Sequence, residues 1–320
     1  MNDEVCYICK SKNVNERMKS TSGGIAYEIY MYYHKKYNAY IVGAVFDSDF
    51  QIKHILSQKE DDIKKMQGSK YPQSKSWNLF AVIKDLLDKE ESVVFIGTPC
   101  QVAAISSFLG RDYEKLLLVD LICYGTASPG VWKDYVSKCL NFAKIENIVF
   151  KEKSYGWKNW NTMIQYKKYR LHLRGRTNIF MKSFMNGILI RPYCKKCTFK
   201  GKHRFSDLTI GDAWGEGEKS SMNDDRGLSI AILHSDKAIR LFEERALSIE
   251  KERVDLKKYI EGNPYYSKCP DFSNSEDIRS EFFSVYRQQG VKEAFNTCCI
   301  SKGIKKIVYW CSFIKGIRHK

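Results

Sequence analysis

The feature that most constrains what this chain can fold into is an alternation between residues 41 and 142. Short apolar runs take turns there with segments of helical periodicity. IVGAVF (41–46), VVFIG (93–97) and LLLVDLIC (116–123) are apolar at nearly every position. Runs of this length and composition are strands covered on both faces. Asp47 and Ser48 follow the first run as turn residues. Between the runs, SWNLFAVIKDLLDKE (76–90) repeats apolar residues at Leu79, Val82, Ile83, Leu86 and Leu87, one face of a helix. QVAAISSFLG (101–110) reads as a helix stopped by Gly110, and SPGVWKDYVSKCLNF (128–142) as another helix. Strand and helix in alternation predict a largely parallel, helix-covered sheet.

The pattern changes near residue 145. IENIVFKEK, TMIQYKKYRLHL and DLTIGDAW alternate apolar with polar residues, as in an antiparallel or mixed sheet. RGLSIAILHS runs into the helix-like DKAIRLFEERAL, and the sequence from about 251 reads as helical and charged. The expected class is therefore α/β (mixed α+β). An N-terminal α/β part over 1–148 precedes a C-terminal, mixed-sheet part over 149–320 that ends in helices. No repeat or low-complexity linker marks the boundary.

A chain of 320 residues, 43% apolar, has ample material for a core. Its formal net charge of +16 points to an acidic partner: an anionic coenzyme, an acidic electron carrier, a membrane surface or a nucleic acid. Nothing with the spacing of a known nucleic-acid-binding motif supports the last of these. Residues 301–320 carry six Lys/Arg and no Asp or Glu. They read as a basic terminal helix, either solvated or resting on a membrane surface. The first residues lack the apolar segment of a secretion signal, and no 18-residue apolar stretch occurs, so a cytoplasmic protein is expected. Stable disulfides are rare in that compartment, and 11 cysteines there call for another explanation.

RPYCKKCTF (191–199) is the strongest local motif. Cys194 and Cys197 have the C-x-x-C spacing that lets one turn present two thiolates to one metal centre. The neighbours Arg191, Lys195, Lys196, Lys200 and Lys202 favour thiolates and offset the charge of a thiolate-bound group. Cys100 in GTPCQ (97–101) sits at a strand-to-helix turn, where the helix dipole eases deprotonation. Cys123 ends a strand, and sites assemble at strand ends in such sheets. Taken singly, Cys100 and Cys123 read more readily as buried structural thiols than as ligands; with the C-x-x-C pair they make four. Zinc and an iron–sulfur cluster both suit four thiolates. Cys6 and Cys9 (CYIC) form a weaker second pair, an alternative metal grip. Cys139, Cys269, Cys298, Cys299 and Cys311 read as packing or surface thiols.

Eight motifs then fall in order: STSGGIAYEI (20–29), VGAVFD (42–47), GSKYPQS (68–74), VVFIGTPCQVAAISSFL (93–109), LLLVDLICYGTASPGVWKDY (116–135), RPYCKKCTF (191–199), RFSDLTIGDAWG (204–215) and DDRGLSIAIL (224–233). Over residues from about 15 to 265 the chain resembles the coenzyme F-420 hydrogenase/dehydrogenase beta-subunit family. The bacterial members found with polysaccharide-biosynthesis genes are the type it is most similar to. The resemblance implies an oxidoreductase in which a single [4Fe–4S] cluster on Cys100, Cys123, Cys194 and Cys197 exchanges electrons with FAD. Coenzyme F420 is a candidate co-substrate, and ferredoxin or another redox subunit the expected electron partner. Polysaccharide biosynthesis is a candidate setting. The alternatives are an accessory metal-binding protein of the same fold and a basic nucleic-acid binder.

The resemblance gives cofactor-binding roles to residues that suit them physically. Ser22, Gly23 and Gly24 form a small-residue turn before a helix, where backbone amides meet phosphate or simply cap the helix. Gly68, Ser69, Lys70, Tyr71, Gln73 and Ser74 offer flexible backbone, hydroxyls, a cation and a ring. Thr98 stands in the tight Cys100 turn. Trp214 is either a pocket wall or a core residue, with Asp212 beside it to orient a neighbour. The chain departs from the family pattern at Pro72, Tyr124 and Ala213. At Tyr124 the family often has a histidine, whose imidazole carries protons.

Overall fold

The computed structural model describes residues 4–140, 142–174, 178–244 and 246–300. The basic segment 301–320 lies outside the described residues. Among the described residues eleven strands run in chain order: β1 (Val5–Ser11), β2 (Tyr40–Phe46), β3 (Ile52–Ser57), β4 (Val93–Gly97), β5 (Leu116–Leu121), β6 (Ile145–Glu152), β7 (Asn161–Tyr166), β8 (Tyr169–Arg174), β9 (Leu208–Asp212), β10 (Ser229–Leu233) and β11 (Ile249–Arg253).

β4 and β5 are buried on both faces, as continuous apolar runs require. Successive residues alternate between two cores. Val93, Phe95, Leu116 and Leu118 pack under the helices Phe80–Asp88 and Pro99–Leu109. Val94, Ile96, Leu117 and Val119 face the other way, with Ile25, Ile29 and Tyr30 of the helix Ile25–Tyr37. Each such side chain, fully buried, contributes roughly 1.5–3 kcal/mol. The helix Pro99–Leu109 starts with proline at its first turn and stops at Gly110 in the left-handed conformation, φ 68°.

β2, β4, β5 and β9 pair in parallel. Antiparallel neighbours extend this centre on both sides, giving the order β11-β1-β10-β9-β5-β4-β2-β3. This sheet draws strands from both sides of residue 148. β6, β7 and β8 form a second, antiparallel sheet. It packs through Ile148, Phe150, Ile164 and Leu171 onto Trp132, Phe180, Phe282 and Phe295 of the surrounding helices.

Three strands depart from the expected pattern. β1 and β3 lie in stretches not read as strands, and β11 occupies the segment read as the start of a helical tail. CYIC cannot grip a metal, because it lies within β1. Residues three apart on a strand point to opposite faces. Cys6 packs with Trp157 and Ile230, and Cys9 with Ile25 and Ala231, both fully buried. Burial pushes the Cys6 thiol up to about 12 and Cys9 higher still. No helix among the described residues is long and apolar enough to cross a membrane.

Candidate functional site

β5 ends at Leu121, two residues before the expected Cys123, and beyond Cys123 the chain becomes the middle rung of a short backbone ladder. Ala127 N–H donates to Tyr71 C=O at 3.0 Å, and Gln73 N–H donates to Ala127 C=O at 3.1 Å. On the other side Ser128 N–H donates to Leu189 C=O at 3.1 Å and Arg191 N–H to Thr126 C=O at 3.0 Å. The segment after Cys123 is thus laid between the Gly68–Ser74 loop and the approach to Cys194. Gly125, at φ 150°, permits this closeness: a Cβ there would stand 3.2 Å from Ile190 and 3.3 Å from the Cys194 side chain.

The ladder gathers the four cysteines singled out by sequence. Cys100 lies within electrostatic range of Cys197 and Cys194, and Cys123 within range of Cys100, Cys194 and Cys197. Cys194 stands in the turn Pro192–Lys196, and Cys197 follows it. Cys123, Cys194 and Cys197 are half-buried and Cys100 is exposed. Among the described residues no three acidic, histidine or cysteine side chains are drawn tightly enough together to hold a single metal ion. Thiolates on one zinc ion must all lie about 2.3 Å from it. A cluster separates its thiolates further, because several iron and sulfide atoms lie between them.

Although Cys100 is exposed toward the cavity, the protein packed around its sulfur withholds water and raises the thiol, outweighing the lowering by the Thr98 hydroxyl. Burial also pushes Cys123 up to about 12, against the opposing charge of Lys200. The Lys200 ammonium donates to the Cys123 carbonyl and, at 3.0 Å, to the Tyr265 carbonyl. Cys269, read from sequence as an isolated thiol, donates to the Cys197 carbonyl at 3.5 Å. Tyr124 points away from this group, donating to the Met185 carbonyl at 2.5 Å.

Beside Cys100 opens a cavity of about 260 Å³ at the C-terminal ends of β4 and β5. Crevices at strand C-termini, between elements on opposite faces, are where ligands bind in such sheets. Eight of the residues expected to hold a cofactor line it: Ser22, Gly24, Gly68, Ser69, Lys70, Gln73, Ser74 and Thr98. Cys100 lines it as well, as do Ile25, Ile96, Ile122 and Ile210.

Three expected residues do not reach it. Gly23 is spent on packing: a Cβ would meet the Cys9 carbonyl at 2.4 Å and the Ser229 amide at 2.8 Å. Tyr71 turns away and packs its ring on Phe150 and Phe184. Trp214 stacks on Trp157, centroids 4.3 Å apart and planes within 7°. It is a packing residue at the cavity's rear, where Lys151 also lies over its ring.

Lys70 lines the cavity, yet its ammonium donates to the carbonyls of Gln67 (2.8 Å), Gly68 (3.1 Å) and Met66 (3.4 Å). Burial lowers it to about 7. Its donors are committed to the carbonyls at and just beyond the end of the helix Glu60–Lys65, which leaves no N–H for a ligand. The loop it stands on is tied to the turn before helix Ile25–Tyr37. Ser69 N–H donates to Thr21 Oγ1 at 2.7 Å.

Three residues in or behind the cavity wall, His54, Lys151 and Lys153, carried no sequence signal. His54 on β3 is buried, with Nε2 3.0 Å from the Ile96 carbonyl and Nδ1 3.0 Å from Ser74 Oγ. Asp212 pairs at 2.8 Å with buried Lys151 of β6 and accepts from Trp157 Nε1 at 3.0 Å. Burial alone would lower Lys151, and the Asp212 carboxylate together with Tyr71 more than offsets it, leaving the group raised. Lys153, also buried, donates to the carbonyls of Arg17, Ser22 and Arg226 at 2.7–2.8 Å and pins the Ser22 turn. Burial lowers it to about 7. The second sheet thus braces the cavity from behind.

The model of a family described as the C-terminal part of the coenzyme F420 hydrogenase/dehydrogenase beta subunit matches residues 90–259, 170 of the 320. The chain belongs to this family. The match takes in Thr98, Trp214 and all four cysteines; the family model does not extend to the Ser22 turn or the Gly68–Ser74 loop. A chain of the F420-reducing [NiFe] hydrogenase complex from Methanosarcina barkeri, in a xenon-derivatized structure, shares the fold. It superposes with a TM-score of 0.55 over 88% of this chain and 94% of that one, at 14% identity. No curated protein matches the sequence. As a member of this family the chain is related to redox subunits.

Proposed function

We propose that this chain is an iron–sulfur flavoprotein oxidoreductase. Cys100, Cys123, Cys194 and Cys197 would hold a [4Fe–4S] cluster, and the adjoining cavity would take FAD. The observation that carries this reading is the double position of Cys100, one of four grouped thiols and also part of the cavity wall. When bound, the cluster supplies one-electron chemistry and the flavin hydride chemistry. The protein supplies position and surroundings.

The apolar residues Ile25, Ile96, Ile122 and Ile210 offer flat faces to a ring, and Ser74, Gln73 and Thr98 offer polar contacts at its edge. At about 260 Å³ the cavity suits a ring system; sites that enclose a whole drug-sized molecule measure roughly 300–1,000 Å³. The Ser22–Gly24 turn and the Gly68–Ser69 backbone border the same space, as phosphate groups require. Support for coenzyme F420 as co-substrate comes from the family's description. The exposed Tyr193 and Lys196 beside the C-x-x-C suit an acidic electron-carrier protein. Polysaccharide biosynthesis is the setting we put forward.

The test is purification without oxygen, followed by iron, labile sulfide, extracted flavin and an absorption spectrum. We expect iron with matching sulfide and a released flavin. One zinc per chain with no flavin would sink the reading. Cys197→Ser should lose the iron, and parental iron content in that variant would remove Cys197 from the ligand set.

A further inference from the structure

A directed chain of hydrogen bonds runs from the floor of the cavity to Cys100. The Ile96 carbonyl can only accept, so His54 Nε2, 3.0 Å away, carries the proton. In a neutral imidazole Nδ1 is then an acceptor, and Ser74 O–H donates to it at 3.0 Å. Ser74 Oγ has its lone pairs free and accepts from Gln101 Nε2 at 3.0 Å. This fixes the amide: Gln101 Oε1 faces Thr98 and accepts its backbone N–H at 3.0 Å.

Thr98 is where the chain branches. Its hydroxyl stands 3.1 Å from Gln101 Oε1 and 3.2 Å from Cys100 Sγ. With a protonated thiol, Cys100 donates to Thr98 and Thr98 donates to Gln101. A ligated sulfur has no proton and can only accept. The hydroxyl can then turn to sulfur without leaving Gln101 Oε1 unpaired, since the Thr98 backbone N–H still serves it.

We propose that the Thr98 hydroxyl donates to the Cys100 sulfur in the loaded protein and thereby raises the reduction potential of the cluster. His54, Ser74 and Gln101 act as positioning residues that leave the Thr98 proton free for this bond. The proposal rests on the four-cysteine reading above. Hydrogen bonds to ligating sulfurs are among the factors that set cluster potentials. A donor stabilises the more negatively charged, reduced state more than the oxidised one.

The experiment is a redox titration, followed by electron paramagnetic resonance, of the anaerobically purified protein and of Thr98→Val, Thr98→Ala and Thr98→Ser. Iron and sulfide are measured in each. Valine keeps the shape without the donor, alanine serves if valine does not fold, and serine restores the hydroxyl. We expect the valine or alanine variant to keep parental iron and sulfide with a more negative midpoint potential, and the serine variant to return to the parental value. A parental potential in a fully loaded valine or alanine variant would overturn the proposal. A parent protein without iron and sulfide would instead overturn the cluster reading, and this inference with it.

Discussion

His54 shows what burial does to one titratable side chain. Its ring stacks on Phe95, centroids 5.4 Å apart and planes within 8°. Both nitrogens are engaged. Burial, with the nearby Lys70 charge adding to it, lowers the pKa to about 4 despite the bond to Ile96. The folded pKa thus lies below the ordinary value of about 6.5, and between the two the unfolded chain binds more protons. Stability linked to His54 is complete above pH 6.5 and is lost as pH falls toward 4, by about 3 kcal/mol in all. Urea unfolding at steps between pH 7 and 4.5 should show this slope. His54→Gln removes the titration, so its slope over the same window should be flatter. Equal slopes would place the acid sensitivity on another group. Asp212 poses the opposite problem, since its carboxylate compensates a buried ammonium. Asp212→Asn leaves Lys151 buried and uncompensated, and removing one partner of such a pair costs roughly 3–5 kcal/mol. A thermal or urea midpoint equal to the parent's would show that Lys151 finds another partner.

At the level of elements, legibility followed burial. β4, β5 and the helix ended by Gly110 were readable because two-sided burial leaves no polar position, and a stop at positive φ favours glycine. β3 and β11 were not, because both are edge strands of the large sheet. β11 buries only Ile249 of IEKER, so its composition resembles a charged helix. β1 was masked by its two cysteines, whose spacing drew a metal reading that strand geometry excludes. Among the cysteines, the C-x-x-C pair stands out by spacing alone, and the set of four rests on the resemblance. The ladder that joins Gly125–Ser128 to two distant segments uses backbone groups and leaves no side-chain pattern to read. Gly23 read as a phosphate contact and proved to be a packing requirement. Its N–H meets Ser229 Oγ at 2.9 Å and its C=O accepts from Ser11 N–H at 2.7 Å, fixing the turn against β1 and β10. Gly23→Ala should force the turn off the sheet. Overpacking of this kind typically costs about 1–3 kcal/mol, and contact with backbone atoms on two sides puts this case at the upper end. Differential scanning calorimetry measures it, and an unshifted Tm would mean the turn moves freely.

The whole molecule carries a formal net charge of +16, and the candidate cluster site opens within a basic stretch of its surface. Around the C-x-x-C, Lys196 and Lys202 are exposed, while Lys195 is committed to Glu276. Tyr193, 85% exposed, gives the same loop an aromatic face turned to solvent. A field of this sign accelerates encounter with an acidic protein and does little for a neutral dye, and salt screens it over about 10 Å at 0.1 M. On the proposed function, electron delivery from an acidic one-electron carrier protein should therefore slow steeply between roughly 0.05 and 0.5 M salt. Reduction by a neutral small-molecule dye should change little over the same range. Lys196→Glu reverses one charge at the site and should lower the second-order rate with the carrier at low salt, while iron content and the dye reaction stay parental. Stopped-flow mixing reads both rates, and an iron assay the third quantity. A carrier reaction indifferent to salt, or a Lys196→Glu rate equal to the parent's, would move the docking face away from the C-x-x-C. The basic charge would then answer to the anionic cofactors alone.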